Sequence, residues 1–190
     1  MLNSLFERFD NIIVLDTETT GLSFRDRIIE LAAVKVRDGV IVDKRAQLLD
    51  PQMPIPPYIT GLTGITPEMV RGRSTAAQVL PRFLTWTEGL PIIGHNVSFD
   101  LGMLQREGAR VRVPVSLTVA ADTLTMARAR LPELSSHRLG VLVDYLKIEA
   151  QPAHRALADV YATQELYVRL LSMPVRTGQA RKETGREIHS

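Results

Sequence analysis

The stretch Asn11 to Gly21, NIIVLDTETTG, constrains the fold more than any other part of the chain. Ile12, Ile13, Val14 and Leu15 are consecutive, apolar and mostly β-branched, the composition of a strand buried on both faces. Such a strand belongs in the middle of a sheet covered by helices. It runs directly into Asp16 and Glu18. Residues i and i+2 of a strand share a face, so both carboxylates aim at one spot. Thr19, Thr20 and Gly21 then end the strand with small residues, and the glycine permits close approach of a ligand to the backbone. Strand ends of this kind are where helix-covered sheets place ligands. Alone, the DxE pair is weak, because acids one residue apart recur by chance.

The remaining pattern supplies the other layers. Arg27 to Arg37 and Val40 to Leu49 flank Asp38-Gly39, a two-residue hairpin signal, so the first third reads as a three-stranded meander. Pro51, Pro54, Pro56 and Pro57 punctuate a loop leading into Ile59 to Met69. Ser74 is placed to cap a helix through Val79, Phe83 and Leu84, ending at Gly89. Pro91 to Gly94 and Val115 to Ala121 read as short strands. The spacing of Phe99, Met103 and Leu104 predicts a helix after His95-Asn96, and Thr123 to Arg130, Arg138 to Leu146 and Leu157 to Leu171 read as helices. The order is that of an α/β fold, a mixed sheet with helices packed against it.

Composition removes several classes of function. No apolar run approaches the roughly 18 residues of a membrane span. The start, MLNSLFERFDN, carries acids and lacks the basic flank and apolar core of a secretory signal, so a cytoplasmic address is expected. With no cysteine, any metal must be held by oxygen or imidazole, which favours hard cations. The formal charge of +2 resides in residues 174 to 190, whose four basic and two acidic side chains leave the rest of the chain neutral. A polyanion would therefore be gripped locally rather than by a globally basic surface. One domain over residues 1–173, followed by a basic, flexible tail over 174–190, is the expected organisation.

Two further constellations stand out. PIIGHNVSFD, Pro91 to Asp100, is another apolar strand running into polar residues and an acid. HRALAD, His154 to Asp159, repeats the spacing of a histidine five residues before an aspartate. Spacing does not say which histidine does chemistry. Five residues turn a helix by about 500°, so His154 and Asp159 converge only if the histidine precedes the helix and the aspartate lies inside it. Pro152 favours that arrangement.

DTETTG at 16–21, HNVSFD at 95–100 and HRALAD at 154–159 resemble, in order and separation, the three motifs of the DnaQ-like 3′-5′ exonucleases of the DEDDh type. The similarity is greatest to the epsilon-type proofreading exonuclease domains of bacterial DNA polymerase III. RIIELAAVKV, ITGLTGITPEMV, DTLTMAR and SHRL extend it over roughly residues 10 to 171. The resemblance implies a ribonuclease-H-like mixed five-stranded sheet flanked by helices. It further implies two divalent cations, Mg²⁺ or Mn²⁺, held by Asp16, Glu18, Asp100 and Asp159, with His154 as the catalytic base. It makes His95 a site-shaping residue, and Asp122 is read as structural.

On this reading Asp16 bridges two ions, Glu18 and Asp159 complete one site, and Asp100 acts directly or through water. His154 takes a proton from the attacking water, so activity rises with pH through roughly 6.5. Backbone near Thr19 meets the terminal 3′-hydroxyl, and Leu62 and Phe99 pack against the last nucleotide, although Phe99 also fits a core position. Arg155 is read as a solvated charge or a phosphate contact. The expected partner is a single-stranded or frayed 3′ end of DNA. An RNA-trimming relative and an inactive binding module are the alternatives. The tail shows no apolar clamp-binding peptide, which leaves attachment to a polymerase or clamp open beside a stand-alone repair or turnover role.

Overall fold

A computed structural model describes residues 8–149 and 155–176. Five strands form one sheet in the order β3-β2-β1-β4-β5. β1 (Ile12–Thr19), β2 (Ile28–Arg37) and β3 (Val40–Leu48) make the antiparallel meander, and β4 (Ile92–Gly94) and β5 (Val119–Asp122) run parallel to β1. The hairpin between β2 and β3 turns at Asp38 and Gly39, both at positive φ (50° and 76°), as a two-residue turn matched to strand twist requires. β1 is four residues longer than its apolar run, Ile12 to Leu15. Asp16 and Glu18 are therefore inside the strand rather than beyond it.

Helices α1 (Pro57–Thr63) and α2 (Pro67–Val70) fold the segment after the proline-rich loop. α3 (Ala76–Thr87) is capped by Thr75, one residue after Ser74, through a reciprocal capping box with Gln78. α4 (Val97–Val111) and α5 (Thr123–Arg130) each follow a parallel strand, and α6 (Leu139–Leu146) and α7 (Ala156–Leu171) complete the described helices. The expected strand over 115–121 shrinks to β5, because β4 is only three residues long and offers few partners.

Side chains alternate across β1 with period two, and each face has its own core. Ile12 and Val14 join Ala32, Val34, Val160, Leu166 and Leu170 beneath α7. Ile13 and Leu15 join Leu80, Phe83, Met103 and Leu104 beneath α3 and α4. Each fully buried Ile or Leu contributes about 2 kcal/mol, and these two layers hold β1 at the centre of the sheet. Among the described residues no helix is long and apolar enough to cross a membrane. The tail is described only as far as Arg176, whose N–H donates to Ala129 O at 3.0 Å; the rest of 174–190 lies outside the described residues.

Candidate active site

Asp16 and Glu18 continue the face of β1 that carries Ile12 and Val14, so they project toward α7. Asp159 lies in the first turn of α7, and one carboxylate oxygen from each of Asp16, Glu18 and Asp159 falls within 4.8 Å of the others. Asp100 reaches the same strand from the opposite face. It sits in the first turn of α4, where an acid is favoured by the exposed N–H groups and the helix dipole. Its Oδ1 accepts from Thr17 N at 3.0 Å and from Thr17 Oγ1 at 2.7 Å. β4 pairs with β1 only at Ile13 and Val14, and the Thr17 amide beyond it is taken by the aspartate instead.

The turn that delivers Asp100 is built from the second motif. Asn96 adopts left-handed φ (64°), which asparagine tolerates, and its N–H donates to Asp122 Oδ1 at 2.9 Å. Asp122 also caps α5 through Leu124 N, the structural part expected for it. His95 is a brace: Nε2–H donates to the His137 carbonyl at 2.9 Å, and Nδ1 accepts from Thr123 Oγ1 at 2.9 Å. Burial lowers its pKa, in keeping with a neutral ring.

Electrostatics at the end of β1 are strained. Burial and the surrounding carboxylates raise the Asp16 pKa well above the ordinary range. Burial, then Asp159, Glu30 and Asp100, push Glu18 up to about 7. Asp100 is also raised to about 7 by burial, which outweighs its two hydrogen bonds from Thr17. Carboxylates packed this way hold protons or cations.

Glu30 and Arg155 form a second layer that sequence reasoning did not assign. Glu30 lies directly across from Glu18 in the β1–β2 register and is 3% exposed. Arg155 grips it with two donors, Nε at 3.1 Å and a terminal nitrogen at 2.8 Å, and Ala156 N adds a third at 3.1 Å. Arg155 is therefore an ion-pair partner of Glu30, with its own side chain still half exposed. One signal was available: an acid in RIIELAAVKV, within a strand buried on both faces, needs a partner. Its identity, 125 residues away, was not readable.

The remaining expected site residues are distributed as follows. Thr19 is buried and its hydroxyl donates to Gly21 O at 2.7 Å. Leu62 is 52% exposed on α1, whereas Phe99 packs half-buried against the core under α3 and α4. His154 lies outside the described residues, and the described helix after it begins at Ala156. Gly21 does not clear space for a ligand: a Cβ there would meet the Asp26 carboxyl at 2.7 Å. That carboxyl is pinned by Thr20 Oγ1 and Ser23 N.

Among the described residues, three oxygen donors lie within reach of one ion, a set that suits Mg²⁺ or Mn²⁺. Sheet order and this cluster define a ribonuclease-H-like α/β protein with a candidate cation site. An exonuclease family model, RNase_T, matches residues 13–167, and the chain belongs to that family. The PolC-type DNA polymerase III of Oceanobacillus iheyensis is 42% identical over 163 residues, covering 85% of this chain and 11% of that protein. That of Clostridium perfringens is 38% identical over 172 residues, covering 87% and 12%. The chain thus spans little more than a tenth of these relatives. Among solved structures, E. coli exonuclease I in complex with a dT13 oligonucleotide superposes with a TM-score of 0.74 at 26% identity, covering 87% of this chain and 42% of that one. Exonuclease X in complex with 5′-overhanging duplex DNA gives 0.64 at 28% identity, covering 84% and 90%. The expected likeness to bacterial replicative polymerases is borne out.

Proposed function

We propose that this chain is a metal-dependent 3′-5′ exonuclease that removes nucleoside 5′-monophosphates from single-stranded or frayed 3′ ends of DNA. The observation that carries the reading is the convergence of Asp16, Glu18 and Asp159 within 4.8 Å in a chain of this family. DNA is favoured over RNA because the polymerase relatives and the DNA-bound exonucleases act on, or are seen with, DNA.

Asp16, Glu18 and Asp159 would hold the cations, with Asp100 aiding directly or through water. Two bound divalent ions would supply charge stabilisation for the attacking and leaving oxygens of an in-line displacement. The protein's own part is orientation and proton transfer. β1 is fixed by two cores, so its acids are held on a rigid post and need little reorganisation as charge develops. Thr17 fixes the Asp100 carboxylate. His154 is the base that accepts the proton of the attacking water, and backbone near Thr19 meets the 3′-hydroxyl. Leu62 and the exposed part of Phe99 offer apolar contact to the last nucleotide without reading its base.

A time course on 5′-labelled and 3′-labelled oligonucleotides, DNA and RNA in parallel, tests this directly. Stepwise shortening from the 3′ end of DNA in Mg²⁺ or Mn²⁺, abolished by EDTA, is expected. Faster loss of RNA would move the protein to RNA trimming, and binding without cleavage in either metal would make it an inactive module.

A further inference from the structure

Glu30 stands out because it is a buried acid beside the candidate cation site that is not one of the four acids of the family motifs. Three N–H donors converge on it from the start of α7: the two-pronged Arg155 guanidinium and Ala156 N. The Arg155 carbonyl in turn accepts from Ala158 N at 2.8 Å and Asp159 N at 3.2 Å. A continuous path therefore runs from the Glu30 carboxylate through Arg155 to the backbone of Asp159, whose side chain faces Asp16 and Glu18. Among the described residues, α7 has no side-chain cap of its own at this end. Glu30 takes that place from a neighbouring strand.

Resting on the nuclease reading above, we propose that Glu30 is a positioning residue. It locks the first turn of α7 to β2 through Arg155 and Ala156, and so sets where the Asp159 carboxylate stands relative to Asp16 and Glu18. Glu30 lies opposite Glu18, an arrangement of like charges that destabilises a sheet unless compensated. Arg155 provides that compensation, and the bidentate fork gives direction as well as charge. A lysine would supply charge without the fork.

This distinguishes positioning from a mere electrostatic effect. Removing the Arg155 cation makes the site more negative, so a purely electrostatic role predicts tighter divalent binding in Arg155→Ala. Positioning predicts weaker binding. The experiment measures Mn²⁺ binding by calorimetry without substrate, metal-free thermal stability, and kcat and KM on a single-stranded oligonucleotide. Variants are Glu30→Gln, Arg155→Ala, Arg155→Lys and the double variant Glu30→Gln/Arg155→Lys. Losses of about 10- to 100-fold in Mn²⁺ affinity and kcat, with KM little changed, are expected for Glu30→Gln and Arg155→Lys. The double variant should be no worse than the poorer single one, because both break the same lock. Parental Mn²⁺ affinity in Arg155→Lys, or tighter binding in Arg155→Ala, overturns the proposal. If the parental protein binds Mn²⁺ but degrades no nucleic acid, the nuclease reading fails, while the binding data still decide the role of Glu30.

Discussion

Two charge clusters flank β1, one around the buried Glu107 and one partly exposed at the end of the strand, and they are balanced in opposite ways. On the α4 side, Glu107 is 1% exposed and faces two arginines, with Arg27 Nε at 2.6 Å and an Arg110 nitrogen at 3.1 Å. Arg110 also donates to the carbonyls of Phe24 and Asp26, so this cluster braces the loop after Gly21. At the end of β1 the proportions are reversed. Among the described residues, Asp16, Glu18, Glu30, Asp100 and Asp159 gather there, and Arg155 is bonded to Glu30. Where acids are matched by guanidinium groups, the cluster is a structural clamp. Where, among the described residues, acids exceed cations at the tip of a rigid strand, protons or metal supply positive charge.

Neutralising one acid of the unbalanced cluster should have the largest effect. Asp16→Asn is expected to lower turnover by more than about a thousandfold, since it removes a central oxygen donor. The same change should raise the melting temperature of the metal-free protein and reduce the rise that Mn²⁺ produces, both measured by thermal scanning. A metal-free protein made less stable by this substitution would break the comparison.

His154→Ala is expected to reduce kcat by about a hundredfold or more while leaving single-strand affinity near the parental value, as loss of a general base does. Equal loss of binding and turnover, read from single-turnover kinetics and fluorescence titration, would make His154 a positioning group instead.

Breaking the balanced cluster should act on stability rather than chemistry. Glu107→Gln leaves Arg27 and Arg110 without their carboxylate and should cost about 3 kcal/mol by denaturant unfolding. Mn²⁺ affinity should stay near the parental value. A selective loss of metal binding would show that the two clusters are coupled through β1.

The smallest effect is a pH trend. Glu18 holds its proton more tightly in the folded chain, with a pKa of about 7 against an ordinary 4.5. The folded state therefore binds more protons than the unfolded one between those values, and stability falls as pH rises through that window. Metal-free melting temperature should decline from pH 5 to 8, and the gain on adding Mg²⁺ should be greater at pH 8 than at pH 6. A flat profile would mean that the acids ionise without penalty.

The alternation in NIIVLDTETTG was enough to place Asp16 and Glu18 on one face of a central strand. The hairpin at Asp38-Gly39 and the bounds of α5 were also legible, because turn chemistry and helical spacing are local. Gly21 was misread, since the space left by its missing side chain is filled by Asp26, which Thr20 and Ser23 hold in place. The ion pair of Arg155 was not legible for a similar reason: its partner lies on a distant strand.

From sequence alone, the chain specified its acids, their order along the polypeptide and the strand that carries two of them, because periodicity and turn residues act over a few positions. Tertiary structure alone decided that Asp159 faces Asp16 and Glu18 from the helix packed on their side of the sheet, and that Asp100 takes an amide left uncovered by β4. It also decided that Glu30 fastens α7. Those outcomes depend on which faces pack together and on charges brought from water into a shared buried space, where each acid's state is set by neighbours far away in sequence.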